Sequence, residues 1–246
     1  MKKIFLDKGH GGSDPGAVAN GLKEKDLTHR IVEYAMDYLQ ANYTGFAMRT
    51  SRKGDETLTL SQRAKMANEW GADIFVSVHI NAGGGTGFET YVYNGGVSSR
   101  TIALQNMLHS EILAAMRQFG NITDRGKKRA NYAVLRETKM PAVLTENLFI
   151  DSNDAKLLKN EAFLKAVGEA HARGVAKFLG LPKKGGQTTV RKTVKDDVAG
   201  HWAEQSIRKA MKAGVIRGHS DGRFGPDEPV TRAQLAVILD RLGLLK

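Results

Sequence analysis

The chain has 246 residues, of which 41% are hydrophobic and 26% are charged, as in ordinary soluble proteins. No hydrophobic run approaches the ~20 residues that a membrane-spanning helix needs. Because cysteine is absent, disulfides and thiol catalysis are excluded, and a metal would need nitrogen and oxygen ligands. The net charge of +11 favours polyanionic partners: nucleic acid, anionic lipid or anionic polymers.

Strand-like and helix-like segments alternate over the first 180 residues. The hydrophobic patterns predict strands at 3–7, 46–49, 73–79, 87–93, 132–136 and 142–147, and helices at 26–42, 60–70, 98–119 and 162–179. This alternation predicts an α/β fold, with a layered, mostly parallel or mixed central sheet flanked by helices.

The composition changes after residue 180. Residues 181–195 combine a proline, two glycines and five basic residues without any acid, which predicts a flexible basic linker. Residues 196–246 predict a small helical domain of the helix-loop-helix type, with Thr231 as a helix N-cap and Gly243 as a helix stop. A segment of ~50 residues is marginal as an independent fold.

The stretch "LDKGHGG" at residues 6–12 places His10 where the first predicted strand ends, beside glycines. Glycines allow the backbone to turn sharply and to approach a ligand closely. Taken alone, His10 is open to three interpretations, as a metal ligand, a general base or a loop residue without a role.

Three further residues give His10 a chemical context. His79 ends the apolar strand "DIFVSVH", Glu24 precedes the first long helix, and Glu146 lies in "PAVLTENLF". Strand ends at one edge of an α/β sheet form the usual ligand crevice. Two histidines and a glutamate are a known catalytic zinc set. Apolar surroundings would raise the pKa of Glu146 and suit it to act as general base and acid.

Three sequence blocks strengthen this interpretation. "IFLDKGHGGSDPGAVANGLKEKDL", "LSQRAKMANEWGADIFVSVHINA" and "RANYAVLRETKMPAVLTENLFIDSNDAKLL" resemble blocks of the zinc-dependent N-acetylmuramoyl-L-alanine amidases (Amidase_3), over residues 2–180. The resemblance implies that His10, Glu24 and His79 bind Zn²⁺ and that Glu146 is the catalytic carboxylate. It also implies hydrolysis of the amide between N-acetylmuramic acid and L-alanine in peptidoglycan.

The blocks depart from the family pattern at a few positions. Lys8 stands where the family usually has proline, and Asn147 and Leu148 stand where an apolar residue and glycine are more frequent. We expect that none of these side chains touches a proposed ligand, so that the metal site is unchanged.

The C-terminal segment has a resemblance of its own. Trp202, the run "GHSDGRFGPDEPVTRA" and the final apolar helix resemble one S-layer homology (SLH) repeat, with Gln234 in place of the usual glutamate. The resemblance implies binding to an anionic secondary cell-wall polymer. Such repeats usually occur in threes, so a single copy predicts self-association through residues 196–246. The alternative is a monomer whose tail docks on its own head. Trp202 is expected to be a packing anchor.

The sequence also leads to expectations about location and rival functions. No signal peptide is visible, so we expect synthesis in the cytoplasm and action at the wall after holin-type or lytic release. A phage endolysin or a mother-cell lytic amidase would fit. We expect no nucleic acid partner and no membrane span. The alternatives are a zinc peptidase that cuts within the stem peptide, a non-catalytic wall-binding protein, and a nucleic-acid-binding protein favoured by the positive charge.

Overall fold

The structure is a computed structural model that describes residues 1–184, 196–216, 218–219 and 223–245. The chain divides into two compact units, Met1–Gly185 and Gly186–Lys246. In the described residues, no helix is both long enough and apolar enough to cross a bilayer.

The first unit contains eight strands and six helices within its described residues. The strands are β1 (Lys2–Lys8), β2 (Val18–Ala19), β3 (Leu22–Lys23), β4 (Phe46–Thr50), β5 (Ile74–Asn81), β6 (Phe88–Tyr93), β7 (Asp124–Ala130) and β8 (Ala142–Phe149). The helices are α1 (Glu24–Asn42), α2 (Leu60–Trp70), α3 (Ser99–Met116), α4 (Ala133–Arg136), α5 (Ala155–Leu158) and α6 (Glu161–Leu179), and a 3-10 turn follows α3 at Arg117–Phe119.

Six of the strands form one mixed sheet in the order β4-β1-β5-β8-β6-β7. Strands β4, β1, β5 and β8 are parallel, β6 runs antiparallel to β8, and β7 runs parallel to β6. The predicted α/β class is therefore confirmed. The carboxyl ends of β1, β5 and β8 lie at one edge of the sheet, which is where the candidate site residues fall.

Helices cover the two faces of the sheet unequally. On one face, the long helices α1, α3 and α6 pack over a continuous core that includes Ile4, Val76 and Val143. On the other face, a smaller cluster around Phe5 and Phe75 includes side chains from α2 and α4. Side chains alternate between faces along a strand. The residues that follow the smaller cluster along β5 and β8 therefore lie on this second face.

The predicted strand at 132–136 is wrong, because these residues form the short helix α4 and the loop before it. The strand that the prediction missed is β7, whose sequence "DRGKKRA" has almost no apolar residue. β7 lies at the edge of the sheet, where positive charge replaces the usual apolar alternation and protects the unpaired backbone.

The first residues of the predicted linker lie against the first unit. The backbone N–H of Thr44 donates to the carbonyl of Pro182 at 2.8 Å, and that of Lys184 donates to the carbonyl of Asn42 at 2.7 Å. Leu181 is buried in the core. Residues 185–195 lie outside the described part, so the linker and domain limits of 181–195 and 196–246 remain predictions.

The second unit contains α7 (Glu204–Lys212) and α8 (Arg232–Arg241), which confirms the predicted helical tail. Thr231 is the predicted N-cap and forms a capping box with Gln234. The expectation that Trp202 anchors the packing is wrong, because this side chain is 91% exposed. Among the described apolar residues of this unit, only Val198 and Ile207 are buried.

Candidate active site

The loop after β1 carries His10 and is fixed by a buried arginine. Arg63, from α2, forms an ion pair with Asp7 and donates to the carbonyls of Lys8 at 2.6 Å and His10 at 2.8 Å. His10 has a positive φ of 60°. A Cβ atom at Gly9 would lie 2.6 Å from the ring of His79, so only glycine lets the loop pass this close.

The predicted residues His10, Glu24 and His79 meet at this edge of the sheet. Glu24 is the first residue of α1 and is buried, and its two carboxylate oxygens face the two imidazoles. Oε2 lies 3.1 Å from His10 Nε2, and Oε1 lies 3.0 Å from His79 Nδ1. One candidate ligand atom from each residue lies within 4.8 Å of the others. The three residues therefore form a compact His–Glu–His cluster.

Two supporting residues were not predicted. Asp14 accepts a hydrogen bond from Nδ1 of His10 at 2.8 Å, which leaves Nε2 directed toward the cluster. Arg52 is buried and donates to the carbonyl of Lys25 at 2.6 Å, which ties the start of α1 to the loop after β4. Asp14 lies four residues after His10 in the first sequence block, and that spacing was the available signal.

Hydrogen bonds between these groups set their charges. Burial raises the pKa of Glu24, but hydrogen bonds from His10 and His79 outweigh it and hold that pKa well below its ordinary value. Burial lowers the pKa of His79, but the hydrogen bond and charge of Glu24 raise it to about 9. The cluster therefore carries an ionised carboxylate that favours a positive charge on its partners. A divalent cation would compete with protons for the same nitrogens.

Glu146 lies beside the cluster rather than in it. On β8, Glu146 pairs with His79 of β5 on one side and with Glu89 of β6 on the other. Its Oε2 atom is buried and has no hydrogen-bond partner among the described residues. Burial, reinforced by the negative charges of Glu24 and Glu89, raises the pKa of Glu146 to about 7. A carboxyl group with such a pKa can both accept and release a proton near neutral pH.

A β-bulge follows Glu146 and corrects one expectation. Between the pairs His79/Glu146 and Asn81/Phe149, two residues of β8 face one residue of β5. The amide of Asn147 donates to the backbone carbonyl of His79 at 2.9 Å, so the expectation that these positions touch no proposed ligand is wrong for Asn147. Leu148 is buried with a φ of 72°, a left-handed conformation that glycine adopts without strain. This conformation accounts for the glycine that is more frequent at this position in the family that the sequence resembles.

The donor set fits a metal. Two imidazoles and one carboxylate leave room for a fourth ligand at a tetrahedral site. Asp14 provides the carboxylate that commonly orients a metal-binding histidine. The structure therefore contains a candidate His–Glu–His metal site, with an unpartnered carboxylate oxygen on the neighbouring strand.

Residues 4–177 match the N-acetylmuramoyl-L-alanine amidase family, and residues 196–236 match the S-layer homology domain. The chain belongs to the N-acetylmuramoyl-L-alanine amidase family. It is a peptidoglycan hydrolase with a C-terminal S-layer homology domain, as the resemblance implied.

Individual relatives agree with the family. The chain is 50% identical to the amidase CwlM of Bacillus licheniformis over 184 residues, which cover 74% of this chain and 71% of CwlM. It is also 50% identical to the endolysin of Bacillus phage SPP1 over 194 residues, covering 78% of this chain and 71% of the endolysin. The sporulation-specific amidase of Bacillus subtilis is 47% identical over 74% of this chain and 70% of that amidase.

Solved structures match the amidase fold as well. The catalytic domain of the amidase CwlV from Bacillus (Paenibacillus) polymyxa var. colistinus superposes with a TM-score of 0.68 at 32% identity. The match covers 74% of this chain and 99% of that domain. The amidase fold thus corresponds to the first unit of this chain.

Proposed function

We propose that His10, Glu24 and His79 bind a Zn²⁺ ion and that Glu146 is the catalytic acid–base of the amidase. The observation that supports this most is the His–Glu–His cluster beside a buried carboxylate with an unpartnered oxygen. A bound Zn²⁺ ion supplies Lewis acidity, which polarises a carbonyl group and acidifies water.

The chain's own residues perform the remaining steps. Glu146 takes a proton from the attacking water and delivers it to the nitrogen of L-alanine as the amide bond breaks. Its raised pKa suits both transfers, since the group changes its protonation near neutral pH. Asp14 holds the ring of His10, and Asn147 holds the backbone at His79, so that the cluster keeps its shape during turnover.

The S-layer homology domain supplies the attachment to the wall. Domains of this family bind cell-wall polymers, and we propose an anionic secondary polymer as the ligand of residues 196–246. Residues 196–246 carry eight basic and seven acidic side chains, so most of the net charge of +11 lies in the rest of the chain, where it favours association with an anionic wall. We further propose a lytic role at the bacterial cell wall, as a phage endolysin released through a holin-type pore or as a mother-cell lytic amidase. The similarity to the SPP1 endolysin and to the sporulation-specific amidase supports both roles.

Self-association through residues 196–246 is part of the same proposal. Within the second unit, a cavity of about 640 Å³ is lined by apolar side chains that include Ile207, Phe224 and Val237. Trp202 and Leu235 are exposed by 91% and 50%. A second copy would remove this apolar surface from water, and linked wall contacts would raise the effective affinity.

A digest of purified peptidoglycan tests the reaction. The amidase produces new L-alanine amino termini and no new reducing ends. New termini elsewhere in the stem peptide would instead indicate the peptidase alternative, and new reducing ends would indicate a glycosidase. Binding to the wall without any new termini would indicate a non-catalytic wall-binding protein. Salt-dependent retention on DNA without retention on walls would favour the nucleic-acid alternative.

A further inference from the structure

A second charged cluster lies next to Glu146, on the side away from the metal site. Its centre is Glu89 on β6, the cross-strand partner of Glu146. Glu89 is only 2% exposed and accepts hydrogen bonds from Asn81 at 2.7 Å and from Tyr91 at 2.9 Å. It also accepts from Arg125 Nε at 2.8 Å and from the ammonium group of Lys128. Four donors leave Glu89 no capacity for a substrate, so its role is to hold the two cations.

A β-bulge in β7 brings these two cations to the same face of the sheet. Residues 125 and 128 are three apart, and in a regular strand they would point to opposite faces. In β7, Arg125 and Gly126 together face Glu89 alone, because the pairing shifts between Phe88 and Thr90. Gly126 has a φ of 88°, as expected for a glycine in a bulge. This extra residue places Arg125 and Lys128 on the face that carries Glu146.

The guanidinium of Arg125 is held by one hydrogen bond and keeps further donors for a ligand. Its Nε atom donates to Glu89, and its Cζ atom lies 4.8 Å from the centre of the Phe149 ring. Among the described residues, its two terminal nitrogens have no hydrogen-bond partner, and about a third of the side chain is exposed. Two terminal guanidinium nitrogens held in this way can bind a carboxylate with two parallel hydrogen bonds. The cluster as a whole carries one excess positive charge.

The stem peptide of peptidoglycan has a free carboxylate close to the scissile amide bond. In peptidoglycan the second residue of the stem peptide is a glutamate linked through its side chain, so its α-carboxyl group is free. That carboxyl group lies two residues from the scissile nitrogen, a span of up to about 7 Å. The Cβ atoms of a cross-strand pair such as Glu146 and Glu89 are about 5 Å apart. Arg125 lies on the next strand, β7, and its Nε atom donates to Glu89.

We propose that Arg125 and Lys128, held by Glu89, form a subsite for the free α-carboxylate of the second stem-peptide residue. The subsite places the leaving peptide beside Glu146 and makes the enzyme selective for walls in which this carboxyl group is not amidated. The proposal rests on the amidase reaction occurring at Glu146. The basic residue Lys127 points to the other face, where its ammonium group binds Asn106 of α3, so it supplies a matched control.

Two soluble muramoyl tripeptides test the subsite, one with the free α-carboxyl group and one with its amide. The full chain with Zn²⁺ should hydrolyse the tripeptide with the free carboxyl group with a kcat/KM about 10- to 100-fold higher than that for the amidated tripeptide. This ratio corresponds to the loss of a hydrogen bond to a charged group. Arg125→Met should abolish this preference through a loss on the free acid, whereas Lys127→Met should keep it.

The comparison of substrates by the unaltered chain needs no variant and stands if Arg125→Met fails to fold. Equal kcat/KM values for the two tripeptides would overturn the subsite while leaving the amidase function intact. A preference that persists in Arg125→Met would also overturn it. If the unaltered chain released L-alanine termini from neither tripeptide nor peptidoglycan, the amidase function would fail and the subsite with it.

Discussion

At the scale of single residues, Glu146 carries the proton transfers of the proposed reaction. Glu146→Gln keeps the size of the side chain and removes the base, so kcat should fall about 10²- to 10⁴-fold. The Zn²⁺ content should not change, because Glu146 is not a proposed ligand. Glu69→Gln, on the exposed surface of α2, is the matched control. Full activity of Glu146→Gln, or loss of Zn²⁺ in parallel with activity, would contradict the assigned role.

Asp14 is the residue that tests the metal site without removing a ligand. Chelation should abolish hydrolysis reversibly, with activity restored by added Zn²⁺. Asp14→Ala frees the ring of His10 and should lower the Zn²⁺ affinity about 10- to 100-fold, which a competition titration with a chelator measures. Asp37→Ala, at an exposed position of α1, should leave the affinity unchanged. Equal affinities for the two variants would show that Asp14 does not support the site.

His171 links the stability of the first unit to pH. The side chain is buried in α6, Nδ1 donates to the carbonyl of Val167, and Nε2 accepts from the hydroxyl of Thr145. Burial lowers the pKa of His171 from 6.5 to about 4. Well above pH 6.5, His171 is neutral in both the folded and the unfolded chain, and its contribution to the free energy of unfolding is fully present. As the pH falls from 6.5 toward 4, only the unfolded chain binds the proton, so about 3 kcal/mol of stability is lost.

Denaturant unfolding at several pH values tests this assignment. In a Trp202→Phe background, Trp70 is the single tryptophan and reports on the first unit. His171→Gln should lose some stability at pH 7 but reduce the dependence of the unfolding free energy on pH between 6.5 and 4. The expected reduction is about 1.4 kcal/mol per pH unit. An unchanged pH dependence would mean that another group is responsible.

At the scale of elements, the contacts of residues 181–184 suggest a test of where the first unit ends. A chain that ends at Lys184 keeps Leu181 and the hydrogen bonds to residues 42–44, whereas a chain that ends at Gly180 loses them. The shorter chain should be less stable by about 2 kcal/mol, the transfer free energy of one buried leucine. Both chains should hydrolyse soluble muramoyl peptides. Equal unfolding free energies would show that residues 181–184 do not stabilise the unit.

The elements that could be predicted are those in which apolar residues recur with the period of the buried face. α2 begins and ends at the predicted residues, Leu60 and Trp70, because Thr59 caps it and Gly71 ends it in a left-handed conformation. β7 could not be found in the same way, since an edge strand of basic residues has no apolar period. α4 shows the reverse error, because its short apolar run fits either a strand or a helix.

The candidate site shows a similar division. The strand ends and the sequence blocks alone predict that His10, Glu24, His79 and Glu146 lie in one region. The bulges at residues 125–126 and 147–148 follow from pairing between distant strands, which a single sequence does not display. The contact of Asn147 with the His79 backbone and the convergence of Arg125 and Lys128 on Glu89 depend on these bulges, so neither could be predicted.

At the scale of the whole molecule, we expect the first unit to perform hydrolysis and the second unit to attach the chain to the wall. The chain that ends at Lys184 should hydrolyse soluble fragments but lose retention on intact walls, because we propose that the S-layer homology domain supplies the affinity. Sedimentation with purified walls at several salt concentrations measures this retention. If the shortened chain sediments with walls as well as the full chain does, residues 196–246 do not supply the attachment.

The same domain should also set the oligomeric state. Among the described residues of this domain, Trp202, Val230 and Leu235 are exposed and few apolar side chains are buried, so contact with further copies would remove this surface from water. We expect the full chain to self-associate, with a trimer favoured by analogy to proteins that carry three repeats. Light scattering should give a larger assembly for the full chain than for the chain that ends at Lys184. Trp202→Ser should weaken the assembly, whereas Met66→Ser, which removes an exposed apolar side chain from α2, should not. A full chain that stays monomeric at high micromolar concentration would contradict self-association and the gain in affinity from linked wall contacts.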